Sequence, residues 1–407
     1  MTEPVEQYVE ASPAPVSVLF VDHTAQMGGG EVALLNLVTH LDRARFRPVV
    51  ALFSDGPLRE KLERVKVETH VLPLSPSVVN VRKDTIGGSI FLRMSDVLAT
   101  MRYVARLRSF IKRHRIDIVH TNSLKSDVIG GLAARLARVP VIWHVRDRIA
   151  DDYLPGPTAH VFRRLCRIVP NRVITNSYST LETLKIKSSF EAVVVPSGVI
   201  YDGTHIQRSI QKQTSSRSAI VGLVGRIAPW KGQHIFVEAA NIVLKKYPTT
   251  QFKIIGSSLF GEDAYEQRLR DLVTQLEIGH AVEFCGFCTD VEQRIAQMDL
   301  LVHASTTGEP FGQVVIEGMA ASKPVIATNG GGIPEIVIDG ETGILVPMND
   351  HIAMADAICR LLEDQELAES FGRCGRERVQ SKFTIQKTVK KVMQVYDELL
   401  SRRTRPR

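Results

Sequence analysis

A short apolar run, a glycine turn and a helical pattern follow one another near the start of this chain, and they restrict its fold more than any other feature. Val16–Val21 is typical of a buried strand, Gly28–Gly30 of a turn, and Glu31–Val38 has the periodicity of a helix. A strand, a turn and a helix in this order begin a βα unit, whose strands pair in parallel under a cover of helices. The opening residues therefore predict an α/β fold.

The same alternation continues in two blocks, which are separated by a polar segment at 201–218. Further strands of the first block are predicted at Pro48–Phe53, Ile116–His120, Val139–Trp143, Arg172–Asn176 and Ala192–Val195. Strands of the second block are predicted at Ala219–Val224, Phe252–Ile255, Val282–Phe284, Leu300–His303, Pro324–Ala327 and Gly343–Val346. We expect two doubly wound, Rossmann-like domains, 16–200 and 219–383, joined by a linker at 201–218.

The two ends of the chain differ from these blocks. Residues 1–15 are acidic and rich in proline, which predicts disorder. Residues 384–400 have the apolar spacing of an amphipathic helix, and 401–407 form a basic tail.

The charge of the chain limits its partners. The formal net charge is +7, but four of the last six residues are arginines, so the remainder is close to charge balance. A nucleic-acid-binding surface usually concentrates its cations in a stripe with aromatic platforms, and no such stripe is visible. We expect no nucleic-acid partner.

Cysteine usage and hydropathy bear on location. Five scattered cysteines, an acidic N-terminus and the lack of an apolar run of about 20 residues together predict a cytoplasmic protein. Cys285 and Cys288 have the spacing of a metal-binding or redox pair, but no second pair follows. We interpret them as structural residues at the end of a strand.

A basic, amphipathic stretch at 91–115 leaves two interpretations open. One is a domain helix with a solvated basic face. The other is a patch that contacts anionic lipid or a lipid-linked acceptor, which would make the protein peripheral on the cytoplasmic face of a membrane.

A first segment with chemical potential, Gly225–Gly232, places Arg226 and Lys231 on a turn directly after a strand. At the carboxyl edge of a doubly wound sheet, such a turn faces the ligand crevice. Arg226 can bind phosphate oxygens through two donors of its guanidinium group, while Lys231 supplies a compact positive charge.

A second segment, Glu309–Ala320, combines a loop with the start of a helix. Three backbone N–H groups lie at the positive end of this helix, those of Phe311, Gly312 and Gln313. Phosphate is readily bound at such a position. Glu317 falls in the first turns of the helix and can accept hydrogen bonds from two ribose hydroxyls, whereas Glu309 precedes the helix and is placed to hold a sugar hydroxyl.

The order of these pieces resembles family 4 of the retaining glycosyltransferases, the glycosyl transferases group 1. The acidic residue, seven intervening positions and second Glu look like the signature of that family. Other pieces agree in order: Gly28–Glu31, His144, Pro196–Val199, Gly222–Arg226, Ile255–Gly256, Gly330–Glu335 and Asp339–Gly343. The resemblance implies the GT-B architecture, in which two Rossmann-like domains face each other across a cleft. The second domain would bind the donor and the first the acceptor.

For the donor, the resemblance implies that Arg226 and Lys231 bind the diphosphate, Glu317 the ribose and Glu309 the sugar. Where the family often has Pro-Ser before the acidic loop, this chain has His303-Ala-Ser305.

For the first domain, the resemblance implies that His144 lies at a strand end facing the cleft. There it would contact the C6 region of the sugar or support the transition state. Gly29 and Gly30 would let the chain approach the donor phosphate or the acceptor closely. The helix at 384–400 would cross back onto the first domain.

The spacing of the aspartates indicates whether the reaction depends on a metal ion. No two of them are separated by a single residue, so the Asp-x-Asp pair that positions a divalent ion in the other main glycosyltransferase fold is absent. Arg226, Lys231 and the helix N-terminus can replace such an ion electrostatically. We expect a metal-independent reaction that needs no cofactor.

Together these features predict retaining transfer of a sugar from a UDP- or GDP-sugar to a hydroxyl acceptor, which is a glycan, a lipid-linked molecule or a small molecule. The pathway would be the synthesis of cell-surface glycans, polysaccharides or glycolipids. No carboxylate in the motifs is placed as a nucleophile, so we expect same-face attack assisted by the departing phosphate. Two alternatives stay open, a sugar-nucleotide epimerase of the same fold and a non-catalytic protein that binds sugar nucleotides.

Overall fold

The computed structural model describes residues 14–75, 94–151, 154–186, 192–200, 218–259 and 261–404. The predictions for 1–13 of the acidic N-terminus, 201–217 of the linker and 405–407 of the tail fall outside the described residues. So do residues 91–93 at the start of the basic amphipathic stretch.

The described strands form two parallel sheets, one in each half of the chain. The first has the order β3-β2-β1-β4-β5-β6-β7 and the second the order β10-β9-β8-β11-β12-β13. The strands of the first sheet are β1 Val16–Asp22, β2 Phe46–Leu52, β3 Glu68–Val71, β4 Ile118–Thr121, β5 Val141–Val145, β6 Arg172–Thr175 and β7 Ala192–Val194. Those of the second are β8 Ile220–Val224, β9 Gln251–Ile255, β10 Val282–Gly286, β11 Leu300–His303, β12 Val325–Thr328 and β13 Ile344–Val346.

Helices connect these strands and cover both faces of each sheet. Those of the first half are α1 Gly29–His40, α2 Pro57–Arg64, α3 Met94–Arg113, α4 Leu124–Ala137, α5 Gly156–Leu165 and α6 Tyr178–Leu184. Those that follow are α7 Gln233–Lys246, α8 Asp263–Gln275, α9 Val291–Gln297, α10 Gln313–Ala320, α11 Ile333–Ile336, α12 His351–Glu363, α13 Gln365–Lys382 and α14 Ile385–Thr404. No helix in the described part of the chain is long and apolar enough to span a bilayer.

The predicted fold class is confirmed, because each half is a doubly wound α/β unit. The predicted strands are present, and their ends move by no more than two residues. The strand β3 was missed because its sequence, Glu-Thr-His-Val, has no apolar run to mark it. It lies at the edge of the first sheet, where none of its side chains is fully buried.

The last helix, α14, leaves the second half of the molecule and packs on the first sheet. Its apolar face, which includes Val392 and Tyr396, is buried beside Val18 and Phe20 of β1. At its start the chain forms two backbone hydrogen bonds with Val199, one from the Val199 N–H and one to its carbonyl oxygen, both 2.9 Å long. The two halves are therefore in contact where α14 begins.

Candidate active site

The carboxyl edges of the two sheets face each other, and this is where the predicted site residues are found. The Gly28–Gly30 turn follows β1, and the loop before α10 follows β11. A Cβ atom built on Gly29 would lie 3.7 Å from the Cβ atom of Gln313. The glycine turn of the first domain and the helix N-terminus of the second are therefore next to each other.

Side chains of the first domain also hold the acidic loop of the second directly. Arg148 donates a hydrogen bond to the carbonyl oxygen of Gly308 at 3.2 Å. Ser177 donates one to the carbonyl oxygen of Pro310 at 2.6 Å. The backbone on either side of Glu309 is thus fixed by the opposite domain.

The Glu309 carboxylate is the centre of a polar cluster. Lys231 Nζ lies 2.8 Å from its Oε1 and 3.0 Å from its Oε2. Ser305 Oγ donates a hydrogen bond to Oε2 at 2.8 Å, and His303 Nε2 lies 3.4 Å from the same oxygen. The Lys231 and Glu309 side chains are only 18% and 12% exposed. The structure therefore brings together two predicted donor-binding residues as an ion pair.

The electrostatics of this cluster keep Glu309 ionised. Burial alone raises the pKa of this carboxyl group, but the positive charge of Lys231 and the hydrogen bond from His303 outweigh it. The net result is a pKa well below the usual range of a glutamate. A carboxylate held in this way is a hydrogen-bond acceptor and a weak base.

A glycine turn fixes the backbone of Glu309 from the other side. Gly331 has a φ angle of +62°, and a Cβ atom there would lie 2.0 Å from the Glu309 carbonyl oxygen. The N–H of Gly332 donates to that same oxygen at 2.8 Å. Only glycine combines the left-handed conformation with so close a backbone approach.

The helix N-terminus predicted to bind phosphate is formed by Gly312 and the first turn of α10. Gly312 precedes the helix with a φ angle of +121°, which favours glycine. Phe311 is buried, and its ring lies 6.1 Å from that of Phe383, so its side chain belongs to the core. Any ligand contact of Phe311 would come from its backbone.

Glu317 lies one turn further along the same helix. Its Oε1 accepts a hydrogen bond from Gln313 Nε2 at 3.2 Å, and the other amide atom of Gln313, Oε1, is buried without a hydrogen-bond partner in the described structure. Burial, with a smaller contribution from the charge of Glu292, raises the pKa of Glu317 to about 7. Glu317 is partly exposed, but its ionised form is disfavoured, and a ligand with hydroxyl donors would stabilise that form.

Arg226 and Lys231 meet at Trp230. The Arg226 guanidinium carbon lies 5.8 Å from the centre of the Trp230 ring, and Lys231 Nζ lies 4.4 Å from it. Both distances fall within the range of cation–π attraction. The short 3₁₀ turn Pro229–Lys231 thus collects two cations at the end of β8.

His144 lies in β5 near its carboxyl end and is completely buried, inside a network that reaches the Gly28–Gly30 turn. Arg146 Nη2 lies 3.3 Å from His144 Nδ1, and Arg146 Nε donates to Asn122 Oδ1 at 2.7 Å. Asn122 Nδ2 donates to the carbonyl oxygen of Gly30 at 3.2 Å and to Asp22 at 2.7 Å. The structure thus connects His144 to Gly30 through two residues, whereas its hydrogen bonds within the described residues are to His120 and Arg146 and not to Glu309 or Lys231.

A carboxylate from the second domain also caps a helix of the first. Glu335 accepts hydrogen bonds from the backbone N–H groups of Tyr178 and Ser179, at 2.8 and 2.7 Å. These amides are at the N-terminus of α6, where a negative charge is favourable. The Gly330–Glu335 segment therefore holds the Glu309 backbone at one end and contacts the first domain at the other.

Sequence reasoning missed several of these residues. Arg146 stands two positions after His144, and this proximity was the only available signal for it. Ser177 and Asn122 gave none, since each follows an unremarkable strand. Ser305 lay in the segment that departs from the family pattern, and its hydroxyl now explains how Glu309 is held.

One group among the described residues could jointly ligate a metal ion. It consists of Glu68, His70 and His114, whose ligand atoms lie within 4.8 Å of one another. Glu68 and His70 belong to the edge strand β3, so the group is separate from the cluster around Glu309.

Comparison with known proteins places this fold and site in a class. Residues 206–378 match the model of glycosyl transferases group 1, and residues 27–202 match that of Glycosyltransferase Family 4. Each model covers one of the two α/β units. The chain is thus an enzyme of the GT-B glycosyltransferase class. More specifically, it belongs to glycosyltransferase family 4, group 1, as the resemblance implied.

Two curated relatives are a putative glycosyltransferase, EpsD, of Bacillus subtilis and a D-inositol 3-phosphate glycosyltransferase of Corynebacterium diphtheriae. EpsD is 34% identical over 175 residues, which are 43% of this chain and 44% of EpsD. The corynebacterial enzyme is 28% identical over 313 residues, which are 71% of this chain and 73% of that enzyme. The matched segment therefore spans less than half of this chain and less than half of EpsD.

Among solved structures, Anabaena Alr3699/HepE in complex with UDP and glucose has a TM-score of 0.79 and 26% identity. The match covers 93% of this chain and 99% of HepE. Sucrose-phosphate synthase of Thermosynechococcus elongatus has a TM-score of 0.75 at 22% identity, covering 95% of this chain and 99% of that one. The second likeness supports the fold alone.

Proposed function

We propose that this chain transfers a sugar, with retention and without a metal ion, from a UDP-sugar to a hydroxyl acceptor. The observation that carries the proposal is the ion pair of Lys231 and Glu309 beside the N-terminus of α10. Its cation suits the diphosphate, and its carboxylate suits a sugar hydroxyl. HepE, which binds UDP and UDP-glucose in its solved complexes, supports uridine over guanosine.

In the proposed complex the diphosphate lies between Lys231, Arg226 and the first backbone amides of α10. These groups stabilise the negative charge that develops on the leaving group. Glu317 accepts the ribose hydroxyls, which lowers the cost of a partly buried carboxylate whose one hydrogen-bond donor in the described structure is the amide of Gln313. Gly29 and Gly30 bring the first domain against the same ligand.

The proposed reaction proceeds on one face of the sugar. The bond between the anomeric carbon and the diphosphate oxygen breaks, and the acceptor oxygen bonds to the same carbon from the same side. The acceptor proton passes to the departing diphosphate. Glu309 is a poor candidate for nucleophile or base, because Lys231, Ser305 and His303 already occupy its oxygens and lower its pKa.

The metal-free part of the proposal rests on the same charges. Arg226 and Lys231 are held close together around Trp230, and the helix N-terminus adds a third positive end. This arrangement supplies the charge that a divalent ion contributes in other glycosyltransferases.

The test is a thermal-shift and turnover screen of UDP- and GDP-sugars, run with EDTA and with magnesium. We expect UDP-sugars to stabilise the protein equally under both conditions, and Lys231→Met to lose the shift. Release of UDP with a glycosylated acceptor would support the proposal. Stabilisation that needs the metal, epimerised sugar without an acceptor, or binding without transfer to any hydroxyl compound would each contradict it.

For the acceptor side, we propose that the outer face of α3 and α4 rests on an anionic membrane, where a lipid-linked glycan or glycolipid acceptor would be found. Five large apolar side chains are exposed on it: Val97, Leu98, Met101, Leu132 and Leu136. The two helices adjoin there, because Arg108 Nε donates to the carbonyl oxygen of Leu136 at 3.1 Å.

Basic residues are exposed on the same two helices as these apolar side chains. The exposed cations of the two helices are Arg102, Arg106, Lys112, Arg113 and Arg135. Exposed apolar side chains together with cations are the pattern of a surface helix at an anionic lipid interface. Each cation near such a surface contributes about 1 kcal/mol.

Vesicle flotation tests this second proposal. We expect binding to phosphatidylglycerol vesicles and little binding to phosphatidylcholine, with a decrease at high salt. The double variant Leu98→Ser with Met101→Ser should bind less. Ile352→Ser, at a 58% exposed position of α12, serves as the matched control. Equal loss in the control, or no binding to anionic vesicles, would refute the proposal.

A further inference from the structure

Three buried side chains, Tyr396 of α14, His120 and His144, form a line of hydrogen bonds. Tyr396 Oη lies 2.7 Å from His120 Nδ1, and His120 Nε2 lies 3.0 Å from His144 Nδ1. All three residues are fully buried. The chain thus runs from the C-terminal helix, through β4, to the predicted catalytic histidine in β5.

The direction of each hydrogen bond in this chain follows from Arg146. Its guanidinium group lies 3.3 Å from His144 Nδ1, and a guanidinium group can only donate. Burial lowers the pKa of Arg146 to about 10, which leaves it charged at neutral pH. His144 Nδ1 must therefore accept, and the ring proton of His144 must be on Nε2.

The same reasoning applies to the next residue. Because His144 Nδ1 has no proton, His120 donates through its own Nε2, and the single lone pair of His144 Nδ1 is shared between this donor at 3.0 Å and Arg146 at 3.3 Å. His120 Nδ1 is then an acceptor and takes the hydroxyl proton of Tyr396. Burial, with the nearby charge of Arg146, lowers the pKa of His120 to about 3 and that of His144 well below its usual value, so both rings stay neutral.

This arrangement leaves one group without a partner. His144 Nε2 is buried and has no hydrogen-bond partner in the described part of the structure. By the argument above it carries a proton, and an unsatisfied buried donor is costly. A bound ligand that offers an oxygen at this position would remove that cost.

We propose that Tyr396 and His120 are positioning residues: Arg146 sets the tautomer of His144, and the hydrogen bonds of Tyr396 and His120 hold its ring so that Nε2 donates to an oxygen of the transferred sugar. This inference rests on the function proposed above. Tyr396 lies on α14, which begins at the contact with Val199. The position of that helix on the first sheet therefore affects how the His144 ring is held.

Tyr396→Phe tests the proposal, because it removes the hydroxyl donor and keeps the ring that packs on Phe46. The matched control is Tyr103→Phe, which removes another buried hydroxyl of the same domain, one that donates to the Leu72 carbonyl oxygen at 2.6 Å. We expect Tyr396→Phe to lower kcat about tenfold with donor KM unchanged within twofold, and Tyr103→Phe to change neither.

A second readout needs no substrate. In the protein labelled with ¹⁵N-histidine, the nitrogen shifts of His120 and His144 should both report a proton on Nε2. In Tyr396→Phe the His144 pattern should stay the same, because Arg146 still sets that tautomer. His120→Gln keeps a donor toward His144 and should retain more activity than His120→Leu.

The two readouts separate the possible failures. Absence of turnover with every nucleotide sugar would defeat the proposed function, while the nitrogen shifts would still test the tautomers. A proton on His144 Nδ1, or identical kinetics in Tyr396→Phe and Tyr103→Phe, would overturn the positioning role.

Discussion

The most informative perturbation of this protein is Glu317→Gln, because the structure links this side chain both to stability and to ligand binding. Burial raises the pKa of Glu317 from 4.5 to about 7. The unfolded chain releases its proton near pH 4.5, whereas the folded protein retains it until about pH 7. Stability is therefore expected to fall as pH rises between these values and to stay level above them.

The magnitude follows from the size of the shift. At about 1.4 kcal/mol for each pKa unit, the difference between 4.5 and about 7 corresponds to about 3 kcal/mol as an upper bound. Glutamine has no charge to bury, so Glu317→Gln should match the parent below about pH 4, where the glutamate is protonated in both the folded and the unfolded chain. At pH 8 the variant should be the more stable protein, by up to that amount.

The assay is urea denaturation at several pH values, with both proteins in a Trp143→Phe background so that Trp230 reports on the second domain. The control is Glu369→Gln. Glu369 also accepts a hydrogen bond from a glutamine four residues earlier, Gln365, at 3.1 Å, but in an exposed part of α13. We expect no pH-dependent gain in stability from the control.

Glu317→Gln should weaken ligand binding at pH 8, although it stabilises the fold. If the Glu317 carboxylate accepts ribose hydroxyls, its loss removes hydrogen bonds to a charged group, each worth about 1.5–3 kcal/mol. Calorimetry should then show UDP affinity at least tenfold weaker at pH 8. Parallel pH profiles for parent and variant would refute the electrostatic argument, and unchanged UDP affinity would refute the ribose contact.

Three further predictions concern the cluster around Glu309 and the contact between domains. Ser305→Ala should lower kcat/KM about tenfold, because the Glu309 carboxylate loses a hydroxyl donor; unchanged kinetics would contradict this role. Lys231→Met should lower the melting temperature by leaving a buried carboxylate unpaired, and adding Glu309→Gln should restore part of the stability but no activity. If the double variant is no more stable than Lys231→Met, the ion pair is not the source of the loss. Glu335→Gln should weaken the cap on α6 and enlarge the unliganded protein in small-angle scattering, with UDP reversing the change; an identical scattering curve would argue against the contact in solution.

Much of the fold was determined by local pattern. The apolar runs that became strands such as β1 and β11 are buried on both faces of a parallel sheet, so they read as continuous hydrophobic segments. The strand β3 was not predicted, because a strand at the edge of a sheet does not need a continuous hydrophobic segment. The glycines at 330–332 were visible in the sequence, but their reason, the close approach of Gly331 to Glu309, was not.

The sequence by itself determined the class of the enzyme and the residues around its donor motif, because Gly225–Gly232 and Glu309–Glu317 are short, contiguous segments whose chemistry can be read locally. Only the tertiary structure decided which charges neutralise each other. Lys231 and Glu309 are far apart in sequence but form an ion pair, because the carboxyl ends of β8 and β11 are adjacent. The Tyr396–His120–His144 chain exists only because α14 returns to the first sheet. Hydrogen bonds between distant segments depend on how strands are ordered and helices are placed, and local sequence pattern does not encode that arrangement.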